Sequence, residues 1–219
     1  MKIAERFAAF IQYFKENQPN AETELEYSSP FQLLIAVILS AQCTDKRVNQ
    51  ITPALFRDFP TPELLAQATF EDVFPYIRSC SYPNNKTKHL IGMASMLIAD
   101  FDSEVPQEVN NLQKLPGVGR KTANVVANVI FKQATMPVDT HVFRVAKRIG
   151  LAMQKSKTPL EVENQLVRHI PKEYLGLAHH WLILHGRYVC LARKPKCGEC
   201  QLTHLCRYFE IQSHKDMLP

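Results

Sequence analysis

The sequence predicts an all-α protein. Apolar residues recur at helical spacing along the whole chain, and no segment shows the alternating pattern of a strand. Residues that begin helices, such as a serine or threonine before proline, recur between the apolar stretches. The length of 219 residues, with 46% hydrophobic and 21% charged residues, fits one domain or two closely packed lobes. The same composition excludes a collagen, a long coiled coil and a disordered chain.

The predicted helices of the first half each have a start or stop signal. A helix with an apolar face over residues 3–14 should end before Pro19, and an apolar helix over residues 31–43 follows Ser29 and Pro30 as N-cap and first residue. Because that second helix is apolar on all sides, we expect it at the centre of the core. The later predicted starts are Thr44, Thr61-Pro62, Thr69 with Asp72 as a capping box, and a helix from about Lys86 to Asp100.

The second half continues the helical pattern. Residues 115–121 form a tight turn between two helical stretches, and Pro137 ends the second of them. The predicted helices that follow run from Asp139 to Gly150, from a capping box of Thr158 and Glu161, and from about Lys172 to Tyr188, ahead of a group of cysteines. Cys43 and Cys80 lie in apolar helical contexts and are predicted core residues.

The charge of the chain favours a polyanionic partner such as nucleic acid, because the formal net charge is +5 and the pI is about 8.9. The longest apolar run, residues 31–41, has about half the length that spans a bilayer. The first six residues carry charges where a signal peptide needs an apolar stretch. We therefore expect a cytoplasmic protein without membrane contact.

Gly117-Val118-Gly119 forms the turn between two predicted helices. Glycine adopts backbone angles that a side chain forbids, and it lets another backbone approach closely. The amides of the turn and of the next helical turn can then donate to a phosphate oxygen. The alternative is an ordinary helix–helix turn with glycine at the C-cap. Arg120 and Lys121 follow in the first helical turn, where the helix dipole disfavours cations, and such a broken local rule is typical of a functional site.

Lys121 and Asp139 are the candidate catalytic pair. A nucleophilic lysine must lose its proton, which the positive end of a helix and nearby cations favour. The alternative for Lys121 is a solvated lysine beside a phosphate. Asp139 precedes a helix start and is a predicted N-cap, a role that fixes the direction of its carboxylate without excluding catalysis. One helix and one turn separate the two residues, so we expect them to share a cleft.

Four of the six cysteines lie close together, at Cys190, Cys197, Cys200 and Cys206. Cytosolic chains seldom keep structural disulfides, so this group predicts metal ligation. Four thiolates fit either a structural zinc ion or a 4Fe-4S cluster. Structural zinc more often uses two separated short pairs, and here only Cys197 and Cys200 form one, which favours iron–sulfur. Ligation at both ends would hold Arg193, Lys194 and Lys196 in a rigid loop that faces a nucleic-acid backbone.

Together these motifs resemble the endonuclease III family of helix-hairpin-helix DNA glycosylases over nearly the whole chain. The segments that carry the resemblance are residues 28–42, 115–124, 138–141 and 180–187, followed by the four-cysteine pattern. The hairpin alone is moderately specific, whereas the hairpin, lysine, aspartate and cysteines in this order are highly specific. The resemblance implies a six-helix barrel domain at residues 23–134, an iron–sulfur domain at residues 1–22 and 135–219, and a DNA cleft between these two helical lobes.

The family's site residues carry over position by position. Lys121 matches the lysine that attacks C1′ of a damaged nucleotide and forms a Schiff base, and Asp139 matches the aspartate that assists base departure. The four cysteines match the ligands of a 4Fe-4S cluster. Gln42 matches a glutamine that fills the gap left by a flipped nucleotide. Tyr82 aligns with a second wedge position that is leucine in the best-known members, which is a departure. The alternatives are a helix-end polar residue for Gln42 and a core aromatic residue for Tyr82.

The implied activity is that of a DNA N-glycosylase and abasic-site lyase, which removes oxidised pyrimidines from duplex DNA and cleaves the strand by β-elimination. The implied setting is base excision repair by a bacterial-type, cytoplasmic, nucleoid-associated monomer. Adenine glycosylases place a glutamate on the buried helix, where residues 35–39 here have no acid, and 8-oxoguanine glycosylases generally lack this cysteine pattern. A non-catalytic duplex-binding module and a monofunctional glycosylase are the remaining alternatives. Histidines 141, 179, 180 and 185 lack ligand spacing and are predicted to pack or to hydrogen-bond.

Overall fold

The structure, a computed structural model, describes residues 1–216, with side chains described as far as residue 213. Over that range it contains α-helices and short 3-10 helices and no β-strand, so the all-α prediction is confirmed. The helices in chain order are α1 (Ile3–Asn17), α2 (Pro30–Ser40), α3 (Asp45–Asp58), α4 (Pro62–Gln67), α5 (Phe70–Ile77), α6 (Pro83–Asp100), α7 (Val109–Leu112), α8 (Arg120–Val129), α9 (Thr140–Ile149), α10 (Pro159–His169), α11 (Leu175–Tyr188) and α12 (Arg207–Asp216).

The chain divides into two compact units. The first, here called the hairpin unit, is Thr23–Lys132 and holds α2 to α8. The second, here called the cysteine unit, joins Met1–Glu22 to the chain from Gln133 onward and holds α1 and α9 to α12. No helix within the described range is long and apolar enough to cross a membrane.

The core of the hairpin unit is built around α2, whose side chains from Phe31 to Leu39 are nearly all buried. Ser29 begins the helix, because its hydroxyl accepts a hydrogen bond from the Gln32 amide at 3.2 Å and proline occupies the first helical position. The helix ends at Ser40, three residues before the predicted end. Gln42 has a φ of +56°, a left-handed conformation that no α-helix can include.

The core of the cysteine unit joins the N-terminal helix to the last third of the chain. Phe14 of α1 stacks on Trp181 of α11 with ring centroids 5.5 Å apart, and Phe10 contacts the same indole edge-on. The Trp181 indole nitrogen donates to the carbonyl of Gln18 at 2.8 Å, which satisfies the one polar atom of this buried ring. α1 therefore belongs to a core whose other residues follow it by more than 100 positions.

Several predicted helix boundaries need correction. α6 begins at Pro83 rather than Lys86, and a 3-10 turn at Lys172–Tyr174 precedes α11. The capping box at α10 is half formed, because the Glu161 carboxylate accepts from the amide of Lys157 instead of the amide of the N-cap residue. Cys43 and Cys80 lie in bends outside the helices, although Cys80 is buried as predicted.

Candidate functional site

The glycine turn connects α7 to α8, and its two glycines have different reasons to be glycine. Gly117 has a φ of +79°, and a Cβ on it would lie 2.9 Å from Cβ of His89. A side chain at that position is therefore excluded twice, by backbone conformation and by space. Gly119 has an ordinary φ of −84°, and a Cβ on it would meet no described atom within 4 Å. Gly117 therefore makes the turn possible, whereas the surface at Gly119 is open.

The first turn of α8 presents backbone amides and two cations beside this open surface. Gly119 is the N-cap residue and, lacking a side chain, contributes no cap to the helix. Arg120 and Lys121 occupy the first two helical positions, and both are exposed. Val118 differs from its neighbours, since its side chain is only 6% exposed and its amide donates to Leu115 at 3.1 Å. The Val118 amide is therefore not available to a ligand.

Asp139 is the N-cap of α9, as the sequence predicts. Its carboxylate oxygen accepts a hydrogen bond from the amide of Val142 at 2.8 Å, and the side chain is half-buried. This bond uses one carboxylate oxygen and fixes the direction of the other. Asp139 belongs to the cysteine unit, whereas Lys121 belongs to the hairpin unit.

Gln42 and Tyr82 lie on two loops of the hairpin unit that are bonded to each other. Both residues have a φ of +56°, which costs a residue with a side chain roughly 1–2 kcal/mol. The hydroxyl of Ser81 donates to the Gln42 carbonyl at 2.6 Å, so the two loops are adjacent. Tyr82 is 62% exposed, so the alternative interpretation of this residue as a core aromatic is wrong. Strained backbone at two exposed residues is typical of functional loops.

Lys86 supports the same region and was missed by the sequence analysis. It is only 5% exposed, and its ammonium donates to the carbonyls of Leu39 at 2.8 Å and Ala41 at 2.7 Å. These carbonyls end α2, where a cation satisfies unpaired acceptors and complements the helix dipole. Burial lowers the pKa of Lys86. The available signal was its place on α6, one turn before Leu90 on the apolar face of that helix.

The four clustered cysteines surround one cavity in the cysteine unit. The rest of the cavity wall is mostly apolar. It consists of Ile149, Val189, Pro195, Leu202, Tyr208 and Phe209, together with His185, Lys196 and Thr203. In the described part of the chain, no three histidine, cysteine or acidic side chains converge as ligands of one metal ion. Thiols around a cavity fit a cluster in which each thiolate binds its own iron. The donor set of this chain is therefore suited to an iron–sulfur cluster.

Burial sets the protonation of the groups around that cavity. It raises the pKa values of the Cys197, Cys200 and Cys206 thiols, so binding of a metal cluster there must displace protons. Burial also lowers the pKa of His185 to about 4, which keeps this imidazole neutral at pH 7. Its Nε2 lies 3.7 Å from Sγ of Cys200 and its ring packs edge-on against Phe14, in line with a packing role.

Two arginines that the sequence analysis did not single out hold the loop between the first two cysteines. Arg148 donates to the carbonyls of Leu191 at 2.6 Å and Ala192 at 3.0 Å, and it lies 3.5 Å from Sγ of Cys190. Arg144 donates to the Cys190 carbonyl at 3.2 Å. The loop cations that the sequence predicted for DNA binding are all exposed, namely Arg193, Lys194 and Lys196. α9 therefore determines the path of a loop that starts more than 40 residues later.

Comparison with known proteins decides the family. The profile of HhH-GPD superfamily base excision DNA repair proteins matches residues 35–172, and the iron-sulfur binding domain of endonuclease III matches residues 190–206. An endonuclease III of Rickettsia conorii is 51% identical over 199 residues, which are 91% of this chain and 94% of that protein. The chain belongs to the endonuclease III family. The Escherichia coli K12 endonuclease III is 46% identical over 196 residues, or 90% of this chain and 92% of that protein.

Solved structures agree with this assignment to the endonuclease III family. A structure described as a trapped endonuclease III–DNA covalent intermediate has a TM-score of 0.92 and 42% identity, and the match covers 97% of this chain and all of that one. A thermostable thymine-DNA glycosylase, 21% identical with a TM-score of 0.86, shares the fold. The predicted fold of two helical lobes is thus confirmed. As a family member, the chain is a DNA N-glycosylase and DNA-(apurinic or apyrimidinic site) lyase of base excision repair with an iron–sulfur binding domain.

Proposed function

We propose that this enzyme removes oxidised pyrimidines, such as thymine glycol, from duplex DNA and then cleaves the strand 3′ to the abasic site, with Lys121 as nucleophile. The observation that carries the proposal is the exposed amine of Lys121 in the first turn of α8, beside the open surface at Gly119. A helix start of this kind binds a phosphate through its amides, which would position the adjacent deoxyribose for the lysine.

In the proposed reaction the neutral amine of Lys121 attacks C1′ of the flipped nucleotide, and the base departs with the electrons of the glycosidic bond and takes up a proton. The lysine nitrogen loses a proton and remains joined to C1′, and the C1′–O4′ bond then breaks with protonation of O4′, which opens the sugar ring and gives the Schiff base. Loss of a proton from C2′ expels the 3′ phosphate by β-elimination, and water releases the lysine. Asp139 assists base departure and the proton transfers of Lys121. The cap bond to Val142 supports this role, because it orients the carboxylate.

DNA binding in this proposal uses two kinds of contact. The helix-start amides, Arg120 and the cations of the cysteine loop bind phosphates, which makes the affinity depend on salt. Gln42 and Tyr82 fill the gap that the extruded nucleotide leaves, and so offset a flipping cost of a few kcal/mol. The exposure of Tyr82 supports this role. An aromatic ring stacked on the orphaned base would contribute about 1–3 kcal/mol, which explains how tyrosine can replace an aliphatic wedge.

The cofactor proposed for the cysteine unit is a 4Fe-4S cluster on Cys190, Cys197, Cys200 and Cys206. When bound, it supplies covalent links between distant parts of the loop rather than a reacting group. Zinc would draw four sulfurs onto one ion at about 2.3 Å, whereas these thiols line a cavity. The guanidinium of Arg148 lies 3.5 Å from Sγ of Cys190, beside one of the proposed ligands. Visible absorption of the purified protein, measured with its iron and zinc content, distinguishes the two metals.

The proposed organisation and setting follow from the same family. We assign the barrel domain to residues 23–134 and the iron–sulfur domain to residues 1–22 and 135–219, with the active enzyme a monomer in the bacterial cytoplasm. Sedimentation of the holoenzyme with and without duplex DNA checks the oligomeric state, and a dimer in either condition would contradict it.

Borohydride trapping tests the nucleophile. A thymine-glycol duplex incubated with the holoenzyme and sodium borohydride should yield a covalent protein–DNA adduct, since borohydride reduces the Schiff base to a stable amine. Lys121→Gln should abolish the adduct while leaving DNA affinity within a few-fold. Lys155→Ala, which changes an exposed lysine outside the hairpin, serves as the matched control and should trap normally.

Each result of the trapping experiment has a definite meaning. An adduct that persists in Lys121→Gln refutes the assignment of the nucleophile. Base release without an adduct or a nick, in the wild-type enzyme, would mean a monofunctional glycosylase. DNA binding with neither base release nor cleavage would mean a non-catalytic module and would overturn the proposed function as a whole.

A further inference from the structure

Two thiols outside the cysteine cluster contact each other in the hairpin unit. Sγ of Cys43 and Sγ of Cys80 are 3.7 Å apart, although the residues are 37 positions apart in the chain. Cys80 is 4% exposed and Cys43 is partly exposed, so solvent reaches one thiol of the pair. Neither residue belongs to the spacing of the proposed iron–sulfur ligands. The pair is therefore a separate site whose chemistry the proposed reaction does not use.

The thiol pair lies at the base of the two loops that carry the proposed gap-filling residues. Cys43 directly follows Gln42, and Cys80 precedes Tyr82 by two residues. The Ser81 hydrogen bond to the Gln42 carbonyl joins the same loops, at 2.6 Å. A covalent bond between the sulfurs would thus act on the backbone of both loops at once.

We propose that Cys43 and Cys80 form a reversible disulfide that shifts these loops and slows excision of damaged bases. The inference rests on the proposed function, because it takes the role of Gln42 and Tyr82 from there. Cytosolic disulfides are uncommon, and those that occur are usually transient or redox-sensing.

The oxidant in this proposal is a low-molecular-weight disulfide such as oxidised glutathione. The thiolate of Cys43 attacks one glutathione sulfur, which breaks the glutathione disulfide and releases one glutathione thiolate. The Cys80 sulfur, after losing its proton, attacks the mixed disulfide at Cys43 and releases the second glutathione. Two protein thiols are thereby oxidised and one glutathione disulfide is reduced to two thiols. Excess reduced glutathione or dithiothreitol reverses both steps.

The environment of the two thiols fits this order of attack. Burial, followed by the neighbouring Cys43, raises the pKa of Cys80 to about 11, while the positive charges of Lys86 and Arg47 oppose the rise. A thiol with so high a pKa is a poor first nucleophile at neutral pH. The partly exposed Cys43 is the thiol that an external disulfide can reach. Cys80 then reacts within the protein, where contact with Cys43 compensates for its low thiolate fraction.

Disulfide formation requires a displacement that matters for the loops. The sulfurs must close from 3.7 Å to the bond length of about 2.05 Å, a change of roughly 1.7 Å. Gln42, next to Cys43, and Tyr82, two residues after Cys80, already occupy the left-handed region and have little backbone freedom to absorb the change. A binding constellation works when its groups are held within about 0.5 Å of their productive positions. We therefore expect the oxidised form to fill the gap in the duplex poorly.

The experiment measures the bond and the activity separately. Holoenzyme is equilibrated with oxidised and reduced glutathione in ratios that span the oxidising range, then alkylated, digested and analysed by mass spectrometry. Excision of thymine glycol from a duplex is followed on the same samples. We expect a peptide cross-linked between Cys43 and Cys80, an excision rate at least tenfold lower, and full recovery with dithiothreitol. Cys43→Ser should excise at the reduced wild-type rate under every condition, whereas Cys80→Ser can form only the mixed disulfide at Cys43 and should yield no cross-linked peptide.

Cys43→Ser also controls for damage elsewhere. It keeps the cysteines of the cluster, so an oxidative loss of activity at the cluster would appear in this variant as well and would overturn the proposal. Failure to find the cross-linked peptide, or recovery of a glutathione adduct alone, would refute the disulfide. A cross-link with unchanged excision would refute its effect on the loops. If the proposed function itself is wrong, the reduced wild-type enzyme will excise no thymine glycol. The disulfide can still be tested in that case, because mass spectrometry detects the cross-linked peptide without an activity assay.

Discussion

Substitution of the two hairpin glycines should separate folding from DNA binding. Gly117→Ala places a side chain at a φ of +79°, which costs alanine about 1–2 kcal/mol. The new methyl group also meets Cβ of His89 at 2.9 Å, well inside the optimum carbon–carbon separation of about 3.5–4.0 Å. In a protein of this size 1 kcal/mol changes Tm by about 2–4 °C, so the backbone cost alone lowers Tm by roughly 2–8 °C. The contact with His89 adds to that loss.

Gly119→Ser is the matched variant on the same turn, and we expect it to weaken DNA binding without loss of stability. The φ of −84° suits any residue, the space around the position is open, and serine is a preferred N-cap. Tm should stay the same or rise slightly. The serine hydroxyl accepts from an amide of the first turn of α8, which the proposed function assigns to a DNA phosphate. Loss of one such charge-assisted bond, about 1.5–3 kcal/mol, raises Kd by roughly tenfold or more.

Thermal unfolding of the holoenzyme, followed by far-ultraviolet circular dichroism, measures Tm. Fluorescence anisotropy with a duplex that contains a non-cleavable abasic analogue measures the DNA affinity, at one fixed salt concentration because phosphate contacts depend on salt. An unchanged Tm in Gly117→Ala, or a fall in Tm as large in Gly119→Ser as in Gly117→Ala, would contradict the different roles of the two glycines. Unchanged DNA affinity in Gly119→Ser would remove the helix start of α8 from the interface.

Three further substitutions test the supports of the site. Lys86→Met should destabilise the enzyme by about 2–3 kcal/mol, because two carbonyls at the end of α2 lose a charged donor, whereas Lys86→Arg should recover part of the loss in thermal unfolding. Asp139→Asn should keep the cap of α9, so Tm should stay close to that of the wild type. The substitution should slow base release by about 100-fold or more and slow cleavage of a preformed abasic site by less. Equal slowing of both steps would contradict the proposed role of Asp139. Arg148→Ala removes the hydrogen bonds to the carbonyls of Leu191 and Ala192, so amide hydrogen exchange over residues 191–196 should become at least about tenfold faster, the equivalent of about 1.4 kcal/mol. Arg168→Ala changes an exposed arginine elsewhere and should leave that exchange unchanged.

The parts of the site that sequence reasoning predicted well depend on neighbouring residues. Ser29, Thr44 and Asp139 each cap a helix as expected, because the cap bond joins a side chain to an amide three residues later. The hairpin glycines and the first turn of α8 follow from the same local rules. The sequence suggested the same two reasons for both glycines, whereas the structure shows a positive φ only at Gly117 and an open surface at Gly119.

The parts that sequence reasoning missed depend on residues far apart in the chain. α2 ends earlier than predicted, and the ammonium of Lys86, a residue of α6, donates to the Leu39 and Ala41 carbonyls at that end. In a longer helix these carbonyls would accept backbone hydrogen bonds instead. Arg148 holds a loop that begins more than 40 residues later. No local sequence pattern distinguishes Lys86 or Arg148 from an ordinary surface cation. The position of Lys86 on the apolar face of its helix was the one indication that its side chain is buried.

By itself, the sequence determined the helical class, the starts of most helices, the turn before α8 and the set of thiols suited to an iron–sulfur cluster, since these depend on hydrogen bonds and spacings within a few residues. The tertiary structure alone decided that Tyr82 is exposed, that Gln42 and Tyr82 share a left-handed conformation on bonded loops, and that the Cys43 and Cys80 sulfurs touch. The physical reason is that burial and contact between distant residues result from packing of the whole core, whereas a cap or a turn is a property of the few residues that form it.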